Sequence, residues 1–149
     1  MLCLVRQCSI FVALTTAAAR GVDVRVLTNA HSNWGMTQQA GRSFYEELLA
    51  AGVRVLEHEG ANGTMLHTKT MVVDGQFATV GSANVDVRSF RLNFELIAVL
   101  YDQAIVRQLE ALFEDDAAGS KEILASEWAK RGVGARLMES VGRLMAPLL

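Results

Sequence analysis

Residues 65–84 read MLHTKTMVVDGQFATVGSAN. Two runs rich in β-branched residues, Met65 to Val73 and Gln76 to Val80, flank Asp74-Gly75. Asp-Gly between two such runs predicts a β-hairpin. The chain has only three histidines and three lysines, and one of each stands two apart in the first run. Residues i and i+2 of a strand point to one face, so His67 and Lys69 are expected to project together. A buried, unpaired lysine is costly, so these two polar heads call for partners or a ligand. After the second run, Gly81 permits close backbone approach, Ser82 offers a hydroxyl and an N–H, and Asn84 offers an amide. A cation with several neutral donors makes a cradle for a phosphate. An imidazole beside that cradle is placed to attack phosphorus, provided the attacking nitrogen is neutral and the other nitrogen donates to a carboxylate. Glu95, in LNFE, is the candidate for that orienting role.

Working outward, residues 9–20 read as a helix ending at Gly21, and Val22 to Leu27 alternate as a half-buried strand does. TNAHSNWGMT is a loop after a strand, where α/β proteins tend to place ligand contacts. Thr37 to Ala51 reads as one helix, with Phe44, Leu48 and Ala51 on one face and Gly52 closing it. A short strand over Val53 to Leu56 and a turn-rich loop, EHEGANGT, lead into the hairpin. Glu95 to Leu100 is a further strand, and Asp102 reads as the N-cap of a helix running to about Asp115. From Ser120 the tail reads as helical pieces broken at RGVG, with Pro147 almost at the end. Strands alternating with helices around a central hairpin predict an α/β fold, a mixed β-sheet flanked by helices.

The 149 residues suffice for a single domain spanning 1–149. A hydrophobic fraction of 51% and a mean hydropathy of +0.23 imply a buried core plus surface that meets something apolar. A formal charge of −2 does not advertise nucleic-acid binding. Cys3 and Cys8 match neither a zinc pattern nor a redox pair and read as free thiols in a reducing compartment. The opening MLCLVRQCSIFVALTTAAARG loosely imitates a signal peptide. Arg6 and Gln7 interrupt its apolar run, however, and Ile10, Phe11, Leu14 and Ala18 fall at helical spacing, so a core-facing helix is preferred. No apolar run is long enough for a transmembrane helix.

The whole string, His67-x-Lys69, four residues to Asp74, then six to Gly81-Ser82-x-Asn84, resembles the HKD motif of the phospholipase D superfamily. MLHTKTMVVDGQFATVGSANVDVRSFRLNFE looks like the second, C-terminal HKD motif of bacterial cardiolipin synthases. AARGVDVRVL resembles the stretch upstream of it, and RLMESVGRLMAPLL resembles how those enzymes end. The resemblance runs from about Ala17 onward; residues 1–8 match nothing, and 120–149 form the helical tail. It implies a phospholipase D-like domain and a two-step phosphatidyl transfer. His67 forms a phosphohistidine, an acceptor hydroxyl displaces it, and Lys69, Ser82 and Asn84 bind the phosphate oxygens. Asp74 belongs to the motif but falls in the hairpin turn, which points to a structural role. The chemistry requires no metal or cofactor, and the sequence offers no metal-ligand cluster.

Family active sites use two facing HKD motifs. His31 is followed by Ser-Asn and His58 by Glu-Gly, so neither supplies a second one. The expected partner is therefore a second copy in a two-fold dimer, or a missing N-terminal half. His31 and Trp34 are candidates to rim a substrate cleft or else an ordinary loop histidine and a packing tryptophan, His58 reads as a solvated turn residue, and Arg88 and Arg91 as headgroup contacts or surface or structural ion pairs. Trp128, Lys130, Arg131, Arg136 and Arg143 lie among apolar residues, a pattern that suits an anionic membrane surface or a helix packed on its own domain. Three functions follow: cardiolipin synthesis from two phosphatidylglycerol molecules, a single-motif dimeric phosphodiesterase or endonuclease, and an inactive half-domain. The acidic pI counts against nucleic acid. A lipid enzyme implies a cytoplasmic or inner-membrane-associated, peripheral location.

Overall fold

A computed structural model describes residues 9–32, 34–60 and 65–146. Cys3, Cys8 and Pro147 lie outside them. The chain is α/β, with helices flanking two three-stranded sheets among the described residues. The first is mixed: β1 (Arg25–Asn29) runs parallel to β2 (Arg54–His58), and β6 (Ser120–Ile123) pairs antiparallel on the far side of β2. The second is an antiparallel meander of β3 (Thr70–Val73), β4 (Phe77–Gly81) and β5 (Ile97–Leu100).

The core lies against the first sheet. Helix α1 (Ser9–Ala19) contributes Phe11, β1 and β2 with the residues just ahead of them contribute Val24, Val26, Val53 and Val55, and the segment of the next two helices contributes Phe44, Tyr45 and Leu48. Those helices, α2 (Gly35–Arg42) and α3 (Tyr45–Ala50), replace the single helix expected over Thr37 to Ala51. The break falls at Ser43-Phe44, where the Phe44 N–H bonds Gly41 O three residues back, at 3.2 Å, and the ring turns into the core. Phe44 meets Phe11 edge-on, with ring centroids 6.0 Å apart.

Strand β2 runs two residues further than expected and takes in Glu57 and His58. His58 is half-buried beside the Ser120 hydroxyl, 3.2 Å from its Nδ1, rather than in a solvated turn. The sequence reads as helix from Ser120, whereas four residues there form β6. So short a segment shows no period of its own, and the free edge of β2 decides its state. Glu122 of β6 takes a bidentate pair from Arg54 across the strands, at 2.9 Å each. The long helix α5 (Gln103–Ala118) begins at Asp102, whose carboxylate accepts from the N–H groups of Ala104 and Ile105. It packs against β3 and β4, with Val106 and Ala78 both fully buried, while Met71, Ile97 and Val99 of the meander are exposed. Helices α6 (Ala125–Trp128) and α7 (Val133–Met145) follow, separated at the RGVG break. No helix among the described residues is long and apolar enough to cross a membrane.

Candidate active site

The hairpin forms as expected, but its first strand is shorter. Pairing begins at Thr70 opposite Val80, and one further bond, Gly81 N–H to Lys69 O at 3.2 Å, ends the ladder. His67 and Lys69 therefore stand just ahead of β3, released from the sheet. β4 pairs with both neighbours over Ala78–Val80, and at Gly81 only the β5 register continues. A Cβ there would lie 2.9 Å from Ile97 Cα and even nearer Leu96 O, so only glycine lets β5 approach so closely. At the other end, Asp74 sits in the turn at φ 51° with Gly75 at 61°, closed by Gln76 N–H to Val73 O at 2.9 Å. Two successive left-handed residues are what Asp-Gly supplies, which gives Asp74 a visible structural task.

Lys69 folds back so that Nζ donates to the His67 carbonyl at 2.9 Å. Both residues also meet the second half of the motif. The Gly81 bond to Lys69 brings Ser82 alongside, while Asn84 and His67 line one cleft of about 200 Å³. The Asn84 N–H is fixed by the Ser89 hydroxyl at 3.0 Å. Ser89 is itself set by Asp86, the N-cap of α4 (Val87–Arg91), whose carboxylate accepts the Ser89 N–H at 2.7 Å.

Glu95 is turned to the serines. It accepts a bond from the Ser82 hydroxyl, a 2.9 Å bond from the Ser89 hydroxyl and a longer one from Asn93. Backbone register explains this: Ser82 N–H bonds Leu96 O and Leu96 N–H bonds the Ser82 Oγ, so the side chain of Glu95 lands on Ser82. The bonds from Ser82 and Ser89, then Asn93 and the Lys69 charge, hold its carboxyl below the usual carboxylate range. The hydrogen bonds of Glu95 thus run to Ser82, Ser89 and Asn93, where the sequence led us to expect His67.

The cleft has walls that the sequence reading did not single out. Asn29, at the end of β1, donates its amide to Leu66 O and accepts the Leu66 N–H, both at 2.8 Å, and so pins the backbone one residue before His67. Arg42 and Tyr45 form another wall. Arg42 makes a bidentate pair with Glu57 at 2.9 and 2.8 Å, and the Tyr45 hydroxyl donates to Glu57 at 3.1 Å. Burial, then the Glu57 charge, pushes the Tyr45 phenol far up, so it stays protonated. A signal for this network existed: Glu57 shares a strand face with Val55, which is fully buried, so its carboxylate needed a cation. His31 lines the cleft as expected. Trp34 stands exposed at the N-cap of α2, and Arg88 and Arg91 are exposed on α4.

A family model described as cardiolipin synthase, PLD-like domain, matches residues 3–117. Cardiolipin synthase 2 of Bacillus anthracis is 43% identical over 137 residues, covering 92% of this chain and 26% of that protein. A probable cardiolipin synthase of Bacillus subtilis (strain 168) is 41% identical over 141 residues, 95% of this chain and 28% of that protein. The chain thus spans about a quarter of the length of the curated relatives it matches. In fold it is similar to Nuc, a phospholipase D family member from Salmonella typhimurium, with TM-score 0.64 and 21% identity over 77% of this chain and 73% of that one. NucT from Helicobacter pylori is similar at TM-score 0.60 and 16% identity, covering 82% of this chain and 79% of that one.

Proposed function

Because this chain belongs to the cardiolipin synthase, PLD-like domain family, we propose that it carries one half-site for phosphatidyl transfer between phosphatidylglycerol molecules. The observation that carries the reading is His67 at a cleft shared with Asn84, with Lys69 and Ser82 tied alongside by the Gly81 bond.

A neutral His67 nitrogen attacks the phosphodiester phosphorus. The P–N bond forms, the P–O bond to glycerol breaks, and the departing oxygen takes a proton. A hydroxyl of a second phosphatidylglycerol then attacks the phosphohistidine, its proton leaves and His67 is released, giving cardiolipin. Lys69, Ser82 and Asn84 bind the phosphate oxygens, where charge develops in the transition state. Glu95 keeps the Ser82 hydroxyl aimed and acts as the positioning carboxylate of the cradle. Asp74 holds the hairpin register. The acid for the leaving oxygen comes from a second HKD half-site, on another copy or on a preceding half of a longer chain.

The test is incubation of the purified chain with phosphatidylglycerol vesicles, with cardiolipin and phosphatidic acid both quantified. Cardiolipin supports transfer, and phosphatidic acid alone means that water is the acceptor. His67→Ala is expected to abolish either product while circular dichroism stays native; retained turnover in that variant removes the mechanism. The second reading is an isolated half-domain without turnover of its own. Product only after addition of the complementary half of a relative would mark that case.

A further inference from the structure

Helix α7 docks the wrong way round for a helix of its composition. Gly142 and Glu139 are buried, and the Gly142 Cα faces Gln39 and Ala40 of α2 so closely that a Cβ would come within 2.6 Å of Ala40 N. Ion pairs strengthen the same side: Arg143 to Glu47 at 2.6 Å, and Arg131, just ahead of the helix, to Glu139 at 2.9 Å and Glu46 at 2.7 Å. The apolar residues are on the other side. Val133, Leu137, Val141 and Leu144 recur at helical spacing with Met138 and Met145 beside them, and all six are exposed, Val133 at 82% and Leu144 at 79%. Small and polar residues face in, with Ala146 packed on Ala40, and the large apolar side chains face out, the reverse of a surface helix in a solvated domain.

We infer that this stripe is a docking surface for an anionic lipid bilayer. The choice of lipid rests on the phosphatidyl-transfer reading. Three observations favour a bilayer. First, charge: residues 130–146 hold four cations against the single carboxylate Glu139, in a chain whose formal charge is −2. Arg131 and Arg143 are engaged by glutamates, while Lys130 and Arg136 are exposed residues, the Arg136 guanidinium donating to Ala129 O at 2.9 Å. Second, size: a stripe one helix wide is on the order of a few hundred Å². That falls short of the roughly 800 Å² per partner of a standard protein interface, yet it suits a helix lying in the headgroup boundary. A second copy would also set like charges against each other. Third, place: α2 presents Thr37, Gln38 and Gly41 to the His67 cleft and Gln39, Ala40 and Ser43 to α7. The stripe is therefore one helix away from the proposed chemistry.

The test is co-sedimentation of the full chain with vesicles of phosphatidylcholine alone and of phosphatidylcholine mixed with phosphatidylglycerol. Partitioning is expected to the mixed vesicles only, lowered about tenfold or more by Leu137→Ser with Leu144→Ser, exposed positions whose change leaves the core intact. Lys130→Glu with Arg136→Glu is expected to lower it similarly at low salt and less at high salt. Equal partitioning of wild type and both variants overturns the proposal. So does a wild-type chain that ignores vesicles but is a dimer that the serine pair dissociates, which would give the stripe to a second copy. Partitioning without lipid products leaves the surface and removes the chemistry. Products formed equally by wild type and the serine pair, with no change in partitioning, do the reverse.

Discussion

Leu66 immediately precedes His67, and both of its backbone groups are held by one side chain, the Asn29 amide. An amide carries a donor and an acceptor side by side, as a neighbouring strand does, so Asn29 continues the β1 edge by one more residue. Asn29→Ala leaves the Leu66 N–H and carbonyl half-buried without that partner. We expect a loss of about 1–3 kcal/mol, read by chemical denaturation. Asn29→Asp keeps the acceptor and loses the donor, so it is expected to fall between. An Asn29→Ala chain as stable as wild type removes Asn29 from its positioning role. In the sequence this residue is only part of a polar loop. Its partner is 37 positions away, beyond the reach of any local pattern. The grouping of His67, Lys69, Ser82 and Asn84 near one end of the hairpin, by contrast, is readable from spacing, while their roles belong to the proposal. Glu95 was half legible: its presence in the site was readable, but its partner depends on the β4–β5 register.

Elements with strong local signals appear where the sequence puts them. The Asp74-Gly75 turn, the Asp102 cap and the glycine after α1 each act through their own backbone. Elements set by distant neighbours do not. The break between α2 and α3 and the whole of β6 are decided by what packs on them. The close approach of β5 to β4 is permitted by Gly81. Gly81→Ala forces a Cβ into the backbone of Leu96 and Ile97, which has no flexible side chain to move aside. We expect the β4–β5 ladder to open, with a stability loss of about 2 kcal/mol or more. Amide exchange in Ile97 to Leu100 should rise sharply while β1 and β2 keep their protection. Unchanged exchange in β5 would mean that the strands tolerate the methyl and that close approach is not the reason for this glycine.

At the scale of the whole molecule, stability is expected to fall in acid. Glu46, Glu114 and Glu122 are each held below the ordinary carboxylate value, first by a hydrogen bond from Arg131, Arg25 or Arg54 respectively. Serine hydroxyls do the same for Glu95. A carboxyl whose pKa is lower in the folded chain adds stability above its unfolded value, and that stability is lost as pH falls through the folded value. The window therefore opens near 4.5, the ordinary value, and extends below it. All four carboxylates are open to solvent, so each contribution is small and screened. Melting temperature followed from pH 7 downward should decline below that value, with a smaller decline in salt on the order of 1 M. A profile flat below pH 4.5 would show these pairs to be energetically silent.

The close seating of Gly142 on α2 has a consequence in terms of linkage. A helix whose opposite faces serve two surfaces cannot adjust to one without presenting a changed contour to the other, and the Gly142 contact leaves no slack to absorb the motion. Whatever factor occupancy of the α7 stripe imposes on affinity in the cleft, occupancy of the cleft must return by the same factor to the stripe. Were the α7 stripe to bind a bilayer and the cleft a headgroup, an analogue filling the cleft would act on bilayer binding by the same factor as the bilayer acts on the cleft.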